Sequence, residues 1–452
     1  MGSFFAMSSS SMPIHSMPGQ NAIAIRGAFL DLVKDPFHNA DAECVRYLPD
    51  GLMVVEDGII RAFGDYAALQ ESYGQLPVTE YGDRLILPGF IDCHVHYPQT
   101  RIIASYGAQL LEWLDTYTFP EEGKFHDAEY GRAIADFFLD ELLRNGITTA
   151  LVLTTIFPAS VTAFFEAAEQ RHMRMIAGQV LMSRHAPDFL TNDPQTAIAQ
   201  TREQIQTWHN RGRMRYAITP RFAITSTPEE LTLAGKLKAE FPDVYVHTHL
   251  SENAKEIELT AELFPECKDY LGVYEHFGLV GDRSIFAHCI HLSESELERL
   301  AAAGGAIAFC PTSNLFLGSG LFPLERAKSD IRVGLATDVG GGSSFSMFAT
   351  MTEAYKIAQL QGQNLSAFRA LYLATLGAAE TLALEDTIGN FEIGKEADFI
   401  VVDRHATPLL KLRNAAPLPQ TLAEVSEQLF SLMVLGDDRL IHATHIAGER
   451  ML

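Results

Sequence analysis

Apolar residues alternate with polar or small ones along Ala22–Val33 (AIAIRGAFLDLV) and again along Arg46–Asp65 (RYLPDGLMVVEDGIIRAFGD). Turn signals at Pro49-Asp50-Gly51 and Asp57-Gly58 divide them into β-strands. From Arg84 (RLILPGF) the pattern changes to short apolar runs separated by long stretches of helical period. The runs are Leu85–Ile91, Ile147–Leu153, Arg174–Leu181, Arg215–Thr219, Val244–His249, Ser284–His288, Ala306–Phe309 and Arg332–Thr337. DAEYGRAIADFFLDELLRNG, with its closing Asn145-Gly146, is typical of the segments between them.

Eight such runs with helices between them predict an α/β fold, a closed (β/α)8 barrel. Two further helical stretches follow, FATMTEAYKIAQLQ and LSAFRALYLATLGAAETL, and FEIGKEADFIVVD then returns to β character. The β segments at the two chain ends are expected to pair into one accessory sheet. The organisation read in this way is a disordered leader over residues 1–20, an accessory β part over 21–86, a barrel over 87–390 and a second accessory β part over 391–452.

Composition narrows the class of function. The 452 residues carry 34 Lys and Arg against 57 Asp and Glu, a net charge of −23, which disfavours nucleic acid and anionic membrane surfaces as partners. No apolar run reaches the ~18 residues that would span a bilayer. The stretch MGSFFAMSSSSMPIHSMPGQ has neither the basic nor the apolar region of a secretory signal. The five cysteines (Cys44, Cys93, Cys267, Cys289 and Cys310) form no C-x-x-C pair, as expected of reduced thiols in a cytoplasmic enzyme.

Candidate chemistry lies at strand ends, where barrel enzymes build their sites. The first run leads into PGFIDCHVH with His94 and His96, the fifth into VHTHLSE with His249 and Glu252, the sixth ends at His288 and the eighth at Asp338. Residues two apart on a strand share a face, so His94 and His96 can grip one ion. Imidazoles with a carboxylate suit Zn²⁺, with Fe²⁺ as the alternative. Each residue also has an ordinary structural role open to it, such as Glu252 beside a helix start or Asp338 in a Gly-rich turn. Spacing leaves His247 and His249 equivalent. His291, His442 and His445 read as structural or solvated.

The H-x-H pair followed by His, His and Asp on later strands resembles the amidohydrolase superfamily over nearly the whole chain, from GLMVVEDGIIRAFGD to GKEADFIVVD. Within it, HVHYPQ, LLEWLDTYTFPEE, TPRFAIT, HTHLSEN, AHCIHLS, CPTSN and GLATDVGGGSS are similar to the guanine deaminase family. The resemblance implies one zinc per chain held by His94, His96, His249 and Asp338. Strand four (MRYAITPRFA) lacks the lysine that bridges two metals in dinuclear relatives. It further implies Glu252 as proton shuttle, His288 and Asp338 as catalytic groups that orient the hydroxide, and Gln99, Arg221 and Phe222 as purine contacts beside His249 and Glu252.

The implied reaction, a step of purine catabolism, is attack of zinc-activated hydroxide on C2 of guanine, giving xanthine and ammonia in a homodimeric enzyme. Arg221, a donor only, suits the O6 acceptor, and a substrate without that acceptor would leave the arginine unpaired. Two other readings remain: an amidohydrolase acting on another aminated or chlorinated heterocycle, and a non-catalytic scaffold of the same fold.

Overall fold

The apolar runs become strands because both of their faces are covered, which is the usual situation of a parallel sheet. The computed structural model describes residues 22–107 and 109–452; the leader expected over 1–20 lies outside them. The barrel strands are β1 (Phe90–His96), β2 (Ile147–Leu153), β3 (Arg174–Gly178), β4 (Arg215–Pro220), β5 (Tyr245–Leu250), β6 (Ser284–His288), β7 (Ala306–Phe309) and β8 (Arg332–Leu335). They pair in sequence order, each parallel to the next.

The ring closes just beyond β8. Asp338 N–H donates to His94 O at 3.0 Å, and His96 N–H donates to Val339 O at 2.8 Å. Beneath these bonds the buried Asp92 carboxylate accepts from His94 N–H at 3.2 Å, Thr337 N–H at 3.0 Å and the Thr337 hydroxyl at 2.5 Å. Burial pushes Asp92 up to about 7, against the pull of those same bonds.

Two boundaries differ from the sequence reading. The run Leu85–Ile91 is not one strand. Val78–Pro88 belongs to the accessory sheet and β1 begins at Phe90, because the chain changes sheets at Pro88-Gly89. A Cβ at Gly89 would meet the Thr148 hydroxyl at 2.3 Å, so glycine is required there. The run Arg174–Leu181 is interrupted after Gly178, and its end, Val180–Leu181, pairs with the end of β4.

Both chain ends contribute to a seven-stranded sheet with the order Glu449–Arg450, Ile441–Ile446, Phe399–Val402, Val78–Pro88, Ile23–Leu32, Val45–Glu56, Ile59–Asp65. The junction of the two ends is antiparallel, with Phe399 opposite Pro88 and Val402 opposite Leu85. Residues 391–452, read as β, also hold the helices Pro408–Arg413 and Leu422–Leu435. The second of these starts at a capping box of Thr421 and Glu424. It packs on the helix Met347–Leu360 through Tyr355 and Phe430, with ring centroids 5.1 Å apart. Among the described residues no helix is long and apolar enough to cross a membrane, and the five cysteines are free.

Asp92→Ala should orphan two buried backbone donors at the closing seam. A loss of roughly 2–5 kcal/mol of stability is expected from such groups, read as a lowered urea midpoint with unchanged slope. An unchanged midpoint would show that the backbone bonds close the barrel unaided.

Candidate metal centre and substrate cavity

The seam that closes the barrel is also where the candidate ligands meet. His94 and His96 leave β1 on one face, and Asp338 follows β8. His288 and Asp338 have left-handed backbone, with φ of 70° and 49°. Such conformations are unfavourable for non-glycine residues and tend to be kept where function constrains the chain.

His94 Nε2 and His96 Nε2 are 3.1 Å apart, and His249 Nε2 is 3.3 Å from His96 Nε2. Asp338 Oδ1 lies 3.2 Å from His94 Nε2 and 3.4 Å from His96 Nε2. Donors placed tetrahedrally at the ~2.0–2.1 Å typical of such ions stand about 3.3–3.4 Å from one another. The spacing therefore fits a single divalent ion at the centre.

Protonation states agree with that fit. Burial pushes His96 down to about 3 and lowers His94 and His249 as well, so the imidazoles are neutral and offer lone pairs. Burial opposes ionisation of Asp338, but the surrounding imidazoles outweigh it and hold the group well below the usual carboxylate range. A second grouping of His94, His288, Cys310 and Asp338 also converges to within 4.8 Å. Burial raises the Cys310 thiol well above its ordinary value, which disfavours the thiolate a metal needs.

The neighbours of these imidazoles set their orientation. His249 Nδ1 donates to the Arg221 carbonyl at 2.6 Å. His94 Nδ1 is 2.7 Å from His247 Nε2, so His247 lies behind His94 while His249 faces the cluster. His288 Nδ1 donates to Asn314 Oδ1 at 3.0 Å. That leaves His288 Nε2 at 3.5 Å from Glu252 Oε2 and 3.7 Å from Asp338 Oδ2. Burial, with the Asp338 charge nearby, pushes Glu252 up to about 8 against the hydrogen bond from Ser319. A carboxyl group in this range exchanges protons near neutral pH.

A cavity opens over the cluster, a concave site of the kind that takes small molecules. Gln99, Arg221, Phe222, His249 and Glu252 line it together, with apolar walls from Leu110, Trp113, Leu114 and Leu317. Of the other histidines, His291 Nε2 donates to Ser319 O at 2.8 Å. His445 meets the Tyr81 hydroxyl at 2.7 Å in the accessory sheet, and His442 lies beside Tyr81 there as well.

One residue absent from the sequence reading sits among the expected purine contacts. Glu122 is fully buried and accepts from Arg221 Nη1 at 3.0 and 2.7 Å and from Gln99 Nε2 at 3.1 Å. Arg221 therefore has a partner before any ligand arrives, contrary to the expectation that only a substrate would pair it. The signal was the doublet Glu121-Glu122 that ends LLEWLDTYTFPEE. Neighbours on a helix point about 100° apart, so the two carboxylates meet different partners. Glu121, buried as well, accepts instead from Lys124 Nζ at 2.5 Å and from the Tyr130 hydroxyl. Asn314 and Ser319, which support His288 and Glu252, were likewise unassigned.

Residues 85–451 match the amidohydrolase family. The chain is 48% identical to guanine deaminase of Escherichia coli over 440 residues, covering 96% of this chain and 98% of that protein. The solved E. coli structure superposes with a TM-score of 0.92 over 95% of this chain and 99% of that one. Guanine deaminase of Bradyrhizobium japonicum gives 0.92 at 40% identity, covering 96% and 99%. The guanine-bound enzyme of C. acetobutylicum gives 0.86 at 28% identity, covering 96% and 100%. The chain belongs to the amidohydrolase family and, within it, to the guanine deaminases.

Proposed function

We propose that the protein is a zinc-dependent guanine deaminase: water adds across C2 of guanine, ammonia leaves and xanthine forms. The observation that carries this reading is that Arg221, Gln99 and Phe222 line the same cavity as the histidine and aspartate cluster and Glu252. The relative solved with guanine in its active site supports it.

His94, His96, His249 and Asp338 would hold one zinc per chain. A zinc ion bound there would lower the pKa of its water to about 7. Glu252, buried beside the cluster, would accept a proton from the attacking water and deliver it to the departing amine. His288, anchored by Asn314, and the free oxygen of Asp338 orient the attacking oxygen. Arg221, whose Nη1 is held by Glu122, would donate to O6 with its remaining N–H groups; Gln99 and Phe222 complete the pocket. The free thiols suit a cytoplasmic setting, and the homodimer implied by resemblance remains part of the proposal, read from mass in solution.

Metal analysis of purified protein should give about one zinc per chain. His249→Ala should abolish metal retention, whereas His247→Ala should keep the metal at an affinity about 10–100-fold lower, as for a residue that orients a ligand. Equal losses from the two variants would overturn the assignment of His249.

Glu252→Gln preserves shape but carries no transferable proton. Turnover should fall by about 10²-fold or more with zinc content unchanged; a normal rate would return Glu252 to a structural role.

The substrate is tested by ammonia release over a panel of aminated purines, pyrimidines and triazines. Guanine should be preferred, and Arg221→Met should lower kcat/KM for guanine by about tenfold or more. Preference for adenine or for a triazine would make the enzyme a different amidohydrolase with the same metal centre.

A further inference from the structure

We propose that Glu122 is a positioning residue for substrate recognition. Its carboxylate holds Arg221 and Gln99 in one arrangement and neutralises the guanidinium, so that the pocket receives an uncharged purine. The inference rests on the guanine reading of this cavity and adds to it the group that organises the two side chains expected to read the base.

Glu122 does not itself line the cavity. It stands behind the two residues that do, on the turn Phe119–Glu122. Its two oxygens take Arg221 Nη1 at 3.0 and 2.7 Å, and Oε1 also accepts from Gln99 Nε2 at 3.1 Å. Gln99 Oε1 in turn receives Gly340 N–H at 3.3 Å. The Phe119 ring lies 5.6 Å from the guanidinium carbon, limiting its movement on another side.

With Nη1 committed to Glu122, Arg221 keeps Nε and Nη2 for a ligand in the cavity it lines. Holding a donor pair in advance spares the ordering cost that a free arginine would incur on binding. Charge balance follows from the same contact. A buried guanidinium without a counter-ion would attract anionic ligands; paired with Glu122, it offers directional donors with little net charge. Xanthine, with one more carbonyl than guanine, gives up a proton more readily and is the anion such an unbalanced pocket would retain.

The test uses the metal-loaded enzyme and the variants Glu122→Gln, Arg221→Met and the double variant, with guanine as substrate and xanthine as inhibitor. Glu122→Gln should raise KM by about tenfold or more while kcat stays within about threefold, and xanthine should inhibit more strongly relative to guanine. In the Arg221→Met background the same replacement should change KM by less than about twofold, because glutamine keeps an acceptor oxygen for Gln99 and loses only the charge that acts through the arginine. The double variant carries no buried charge at either position and so remains testable if Glu122→Gln alone fails to fold. An unchanged KM in Glu122→Gln, or an equal increase in both backgrounds, would overturn the inference. Wild-type enzyme inactive on guanine would instead overturn the substrate reading, while the Arg221–Glu122 coupling would still be read by thermal unfolding of the same four proteins.

Discussion

Closure of the barrel is the constraint on which the rest depends. The bonds between His94 and Asp338 and between His96 and Val339 join the first and last strands at the very residues whose side chains converge on the cluster. Ligand geometry and barrel closure are therefore one condition: whatever opens the seam also separates Asp338 from the histidines. Asp92 reinforces this, because its single carboxylate holds the backbone on both sides of the seam. Four donors brought so near one another would be unfavourable in an unfinished barrel, and the closed ring holds them there before any ion is present.

From this seam outward, each shell of residues has a separate task. Burial keeps His94, His96 and His249 neutral, and acceptors aim the rings from behind, the Arg221 carbonyl for His249 and Asn314 for the catalytic candidate His288. Glu252 lies where burial and a neighbouring carboxylate raise its proton affinity, which is the opposite of the effect on Asp338 a short distance away. Two carboxyl groups in one cavity thus differ in protonation because only one of them is surrounded by imidazoles, a division of roles seen wherever acid and base chemistry share a site.

Much of this was legible in the sequence because strand ends and H-x-H spacing obey short-range rules. The eight runs and the histidines and carboxylates at their ends needed only periodicity and position, whereas the assignment of ligands among them came from resemblance. What stayed hidden depends on long-range placement. The sheet change at Pro88-Gly89 lies within a continuous apolar run, since both halves are buried, and only the close approach of Thr148 explains it. The helix Leu422–Leu435 was overlooked although its Thr421 and Glu424 cap was visible. The choice between His247 and His249 could not come from spacing, because both project to the same side of β5. Glu122 lies within LLEWLDTYTFPEE, but its partner is Arg221, 99 positions further along the chain.

Position 221 is where two demands meet without interfering. Its main-chain carbonyl receives the His249 imidazole, and its side chain faces the cavity. Every amino acid brings the same carbonyl. Substitution at 221 can therefore change the side chain that faces the cavity while leaving the support of the candidate ligand His249 in place. One residue thus serves two parts of the site through atoms that can be changed independently, so a replacement there separates the lining of the cavity from the support of the cluster.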